Sequence, residues 1–242
     1  MEILTQEKVQ LTNTAPSGAV ANMFISPLAT LGSLRDRPQW LIALLIVATY
    51  SVLVNFYVIQ RVGLERLMTA ALQSAAAIDP QTALQNALGH QTRILFFQGL
   101  STFVGVFVTA FVVARVLWLL LIVAGKDLVF KKVFAVVAFA SLFTNVIRES
   151  MLALTTTMIR DLDRLDLRNP LATNLAFYLH PSGAIATRIL MSVDVLTIAN
   201  LFLLAFGLAK VCDRLSPRVA AAVVVVPWLV WVGASLLMPS FS

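Results

Sequence analysis

Long apolar runs alternate with short polar joints along this chain, and five of the runs are long enough to cross a bilayer. They cover Trp40–Gln60, Phe96–Gly125, Val133–Ile159, Ile189–Val211 and Val219–Met238. Each reaches the ~20 residues that span a ~30 Å hydrocarbon core at about 1.5 Å per residue. Stretches such as Val116–Ala124 and Leu201–Phe206 are apolar on every face, as helices in lipid are. The period-two alternation of a membrane β-barrel is absent. The pattern predicts an all-α polytopic membrane protein with five transmembrane helices.

The joints divide the rest. Residues 1–18 are polar and read as a disordered cytoplasmic tail, and residues 40–242 as the five-helix membrane domain. Between them, Phe24, Leu28 and Leu31 recur at helical spacing behind Pro27, a good first-turn residue. Residues 19–39 therefore read as an amphipathic segment on the membrane surface, with Phe24, Pro27, Arg35 and Trp40 as its interfacial residues. In the joint 61–94, Leu64–Ile78 and Pro80–Leu88 read as helical extensions outside the bilayer. In the joint 160–188, a helix is expected from Pro170 to Leu179.

Composition agrees with the pattern: 59% hydrophobic, 12% charged and a mean hydropathy of +0.87, against ~25% charged in soluble chains. The formal charge of +6 sits mostly beside the spans, where anionic lipid and topology account for it and nucleic acid is not implied. With the N-terminus inside, all five lysines (Lys8, Lys126, Lys131, Lys132 and Lys210) fall on the inner side, so the chain reads as N-terminus inside, C-terminus outside. The first span begins at Trp40 with no cleavable signal before it, so that helix is expected to serve as targeting signal and anchor.

Charge and polarity inside a bilayer are costly, which makes each intramembrane polar group a functional lead. At about 100° per residue, Asp194, Thr197, Asn200, Leu204 and Gly207 share one face of the fourth span. The third span carries Ser141, Asn145 and Glu149 at four-residue steps, with Arg148 beside them. By depth, Arg148 and Asp194 are expected to form an ion pair, with Glu149 as competing partner. In the second span, Ser101, Gly105 and Thr109 make a small-residue seam suited to close helix approach, and Gly207 does the same in the fourth. Arg115 lies deeper in the second span.

Chemistry of other kinds is missing. Cys212 is the single cysteine, so neither an intrachain disulfide nor a multi-cysteine zinc site is available. His90 and His180 lie apart in loops, and Asp161, Asp163 and Asp166 alternate with arginines as on a self-neutralised helix. No nucleotide loop, zinc-protease motif or nucleophile elbow occurs. No catalytic residue, metal or cofactor is expected, and the chain reads as a non-enzyme.

Several segments together carry a family resemblance. Phe24-x-x-Pro27 and Arg35-x-x-Pro38-x-Trp40 lead into the first span. Gly125-Lys-Asp-Leu-Val-Phe130 opens the third, and Pro170-Leu-Ala-Thr-Asn174-Leu precedes Val193-Asp194 in the fourth. In order and spacing this resembles the bacterial branch of the Yip (Ypt-interacting protein) family, five-span membrane proteins with a cytosolic N-terminus. The resemblance implies a place in the bacterial cytoplasmic (inner) membrane and a role as an accessory or interaction subunit. Its implied partners are the subunits of a transport complex such as an ABC-type exporter, or a second copy of the chain. Eukaryotic members act in vesicle traffic through Rab-type GTPases and carry an Asp-Leu-Tyr-Gly-Pro signature before the first span. This chain has Phe24-Ile-Ser-Pro27 there, so that role does not carry over. Two alternatives remain: a small channel or carrier using Asp194, Glu149 and Arg148, and a membrane-shaping scaffold built on the 19–39 segment.

Overall fold

Apolar residues in runs of this length bury their backbone polarity most readily as helices, since a helix satisfies its own N–H and C=O groups in lipid. A computed structural model describes residues 16–74, 80–159, 165–166 and 169–237, and no strand occurs among them. The helices are α1 Pro16–Ile25, α2 Pro27–Ser33, α3 Leu41–Val62, α4 Leu64–Ser74, α5 Pro80–Gly89, α6 Gln91–Val123, α7 Phe130–Met158, α8 Leu175–Leu179, α9 Ala184–Ser192, α10 Val195–Val211 and α11 Pro217–Leu237. Four of them, α3, α6, α7 and α11, are long and apolar enough to cross a membrane, and α10 is a shorter apolar helix of 17 residues. The tail before Pro16 and the Asp161 and Asp163 cluster lie outside the described residues.

Two expectations are corrected here. The fourth apolar run, expected as one helix over Ile189–Val211, is broken at Val193–Asp194 into α9 and α10. The break is stabilised by an antiparallel bridge between Asn174 and Asp194, in which Val195 N–H donates to Thr173 O at 3.0 Å and Leu175 N–H to Val193 O at 3.3 Å. The helix expected from Pro170 begins only at Leu175, because Asn174 caps it: its side chain accepts from Phe177 N–H at 3.1 Å.

The chain divides into two compact units, and α3, α6, α7, α10 and α11 each contribute to both. The first comprises residues 1–47, 106–145 and 197–229. At its centre is the first half of α7, where every residue from Val133 to Ala140 is buried, a helix covered on all sides. Met23, Leu31 and Leu34 from the N-terminal segment are buried, whereas Phe24 and Leu28 stay exposed. The inward face of 19–39 is thus centred on Met23 and Leu31, with Phe24 stacked on Phe143 at its edge (5.8 Å between ring centroids). Arg35 reaches Asp213 at 2.6 Å, and Trp40 packs on Phe134 (4.9 Å). Gly207 of α10 is needed for closeness: a Cβ there would lie 2.6 Å from Val136 Cγ1. Cys212 is buried just past α10, and that burial pushes its thiol pKa up.

The second unit comprises residues 48–105, 146–196 and 230–242. Several of its contacts between helices are polar. Tyr50 and Ser150 share a hydrogen bond of 2.7 Å, and Tyr57 and Thr157 one of 2.6 Å. Both partners advance by seven residues in the same direction, so α3 and α7 run parallel here with the repeat of a coiled-coil seam. Asn55 Nδ2 donates to Thr102 Oγ1 at 3.3 Å, and Gly99 leaves room for the Phe56 ring (3.2 Å to a Cβ placed there).

Candidate functional site at the broken fourth helix

Asp194 stands at the helix break and joins it to α7 and to the loop before α8. An Asp before Val-Leu-Thr is a natural N-cap, and its Oδ1 accepts from Leu196 N–H at 2.7 Å, starting α10. Its other oxygen, Oδ2, accepts from Thr173 Oγ1 at 2.9 Å and lies 3.6 Å from Arg148 Nη2 on α7. A hydroxyl, a guanidinium and the N-terminal end of α10 thus all face the Asp194 side chain. The Asp194 side chain is 13% exposed and that of Arg148 42%, so the acid is enclosed while the base opens outward.

The wall opposite is a loop fastened to itself. Asn174 Nδ2 donates to Asn169 Oδ1 at 2.7 Å, and Asn169 Nδ2 returns a bond to Asn174 Oδ1 at 3.3 Å. Tyr178 Oη donates to Ala172 O at 3.0 Å. Arg148, Glu149, Asn169, Thr173, Asn174 and Asp194 line an open cavity of ≈ 250 Å³. Glu149 also takes a hydrogen bond from Ser51 of α3. The arrangement holds one cationic and two acidic side chains around a small space, lined also by Leu152, Pro170 and Leu171, beside a helix break. It has the elements for binding a cation or a polar group.

The other residues singled out from sequence lie elsewhere. Asn200 is in the first unit, where Thr144 Oγ1 donates to its Oδ1 at 3.4 Å, and Asn145 is half-buried on α7. Ser101 and Thr109 are exposed, and a side chain added at Gly105 would meet nothing within 4 Å among the described residues. Among the described residues the small-residue seam of α6 is thus open at Ser101 and Thr109 and half-buried at Gly105, while Ala110, Ala114, Leu117 and Leu121 form the face of α6 that is buried. Arg115 places its guanidinium over Trp118 and Phe130, 4.7 and 5.3 Å from the ring centroids. Among the described residues no group of three or more His, Cys, Asp or Glu side chains is placed to hold a metal. Sequence reasoning missed Thr173, Asn174 and Asn169. Their local signals are the Asn-Pro start of the loop and the Pro170–Leu175 segment of the family resemblance, neither of which names what the turn touches.

Residues 21–238 match the model of the Yip1 domain. The chain belongs to the Yip1 domain family. No curated protein and no solved structure matches it. As a Yip1 domain protein with several apolar helices, it is a multi-pass membrane protein.

Proposed function

We propose that this Yip1 domain protein is a non-enzymatic interaction subunit of a membrane complex, and that its partner packs against the second apolar helix. The observation that carries the reading is the open Ser101–Gly105–Thr109 face of α6. A glycine-centred seam favours a helix over lipid, because backbones can approach there and lipid chains gain little from the indentation. The partner class we favour is a transport complex of the ABC-exporter kind in a bacterial inner membrane, with a second copy of the chain as the other candidate. In this reading α9 and α10 together make a fifth crossing, with the N-terminus inside and the C-terminus outside. The test is Gly105→Leu, whose Cβ meets nothing within 4 Å among the described residues. Native mass spectrometry of gently extracted protein should show a stoichiometric complex for the parent chain and its loss in the variant, with the fold unchanged. A parent chain that emerges alone sinks the proposal.

A second reading, a small carrier, is favoured by the helix break at Asp194. Broken helices whose ends face a polar cavity are how carriers coordinate ions. Purified protein in liposomes should then move protons or cations down a gradient, and Asp194→Asn should stop it. No flux from the parent chain excludes this reading.

A further inference from the structure

On the first unit an open groove of ≈ 570 Å³ runs between Trp40, α6 and the start of α7. Phe107, Val108 and Phe111 of α6 form one wall, Phe130 and Phe134 of α7 the other, and the single charged lining residue is Lys131. We propose that this groove holds one anionic phospholipid, with an acyl chain along Val108 and Phe107 and the phosphate at Lys131 and Arg115. This goes beyond the proposed function and does not depend on it.

Polarity is graded along the groove. Lys131 is in the first turn of α7, and Trp40 immediately precedes α3, so both stand at helix ends, where headgroups lie. Phe107 is at the midpoint of the 33-residue helix α6, in the hydrocarbon. Phe111, then Arg115, each stand one turn nearer the charged end, so about 12 Å separates the level of Arg115 from that of Phe107. The Arg115 guanidinium is already held over Phe130, next in sequence to Lys131. Two cations thus flank one end of a slot that is otherwise apolar, and none of the lining residues is acidic. Basic pockets between spanning helices favour anionic lipid heads. The aromatic walls are preset as well: Phe130 stacks on Phe134 (5.7 Å) and Phe111 packs edge-on to both, so little side-chain freedom is lost on binding.

The test uses the full chain reconstituted in equal parts phosphatidylglycerol and phosphatidylcholine, released into mild detergent and weighed by native mass spectrometry. One lipid should be retained per chain, enriched roughly fivefold or more for phosphatidylglycerol. Lys131→Gln should bring that preference most of the way to parity. Val108→Trp fills the groove and should abolish retention, whereas Val112→Trp, equally exposed on the same helix (52% against 54%) but outside the groove, should retain it. Equal retention of the two lipids, a Val108→Trp variant that keeps its lipid, or loss in Val112→Trp would overturn the proposal.

Discussion

The two halves of α7 hold their neighbours by opposite means. From Val133 to Ala140 the helix is buried without interruption and is met by apolar atoms, among them the close approach at Gly207. From Arg148 to Thr157 it meets its neighbours through charges and hydroxyls: Asp194, Tyr50 and Tyr57. In lipid the apolar half gains only van der Waals fit, because lipid tails are as apolar as the helix. The polar half gains direction, since a hydroxyl or carboxylate in hydrocarbon without its partner is costly. One half is therefore sensitive to volume and the other to the identity of single atoms.

The sharpest way to break the contrast is at Asp194. Asp194→Ala removes the α10 cap, the Thr173 acceptor and the Arg148 counter-charge together, and should lower unfolding free energy by about 2–4 kcal/mol. Asp194→Asn keeps the cap, should cost less, and should be partly rescued by Arg148→Gln. A double-mutant cycle with no coupling would show that the 3.6 Å approach contributes nothing. The apolar half answers next. Gly207→Ala should cost about 1–3 kcal/mol through overpacking, and Val136→Ala in the same chain should recover most of it, read by unfolding in mixed detergent micelles. Smaller again, Tyr50→Phe and Tyr57→Phe should each cost about 0.6 kcal/mol. Least of all, Arg35→Ala should change stability by a few tenths of a kcal/mol, since Arg35 and Asp213 are half or more exposed.

These differences also decide what was legible in the sequence. Apolar runs longer than a bilayer is thick are a local property, so α3, α6, α7 and α11 stand near their expected bounds. Asp194 and Arg148 were readable as neighbours because depth along a span is also local. The break at Val193–Asp194 was not, because neither Gly nor Pro marks it; it rests on Thr173 and Asn174, about twenty residues earlier. Which apolar residues of 19–39 pack inward was not legible for a related reason. Phe24 and Leu28 are as apolar as Met23 and Leu31, and only the shape of α7 and α10 selects between them. The Gly105 seam was readable as a seam, but among the described residues nothing lies within 4 Å of a Cβ placed at Gly105.

One feature of the parallel pair α3 and α7 reaches back to the chain's synthesis. Tyr50 and Ser150, like Tyr57 and Thr157, stand 100 positions apart. At about 5–20 residues per second, roughly five to twenty seconds of translation separate each tyrosine from its partner. During that interval the first helix enters the bilayer with two phenolic hydroxyls that its native neighbour has not yet arrived to meet. Asn55 waits about half as long, for Thr102 on the next helix. A nascent first helix of this kind favours staying beside the insertion machinery, or against another polar helix, until the third is released to join it.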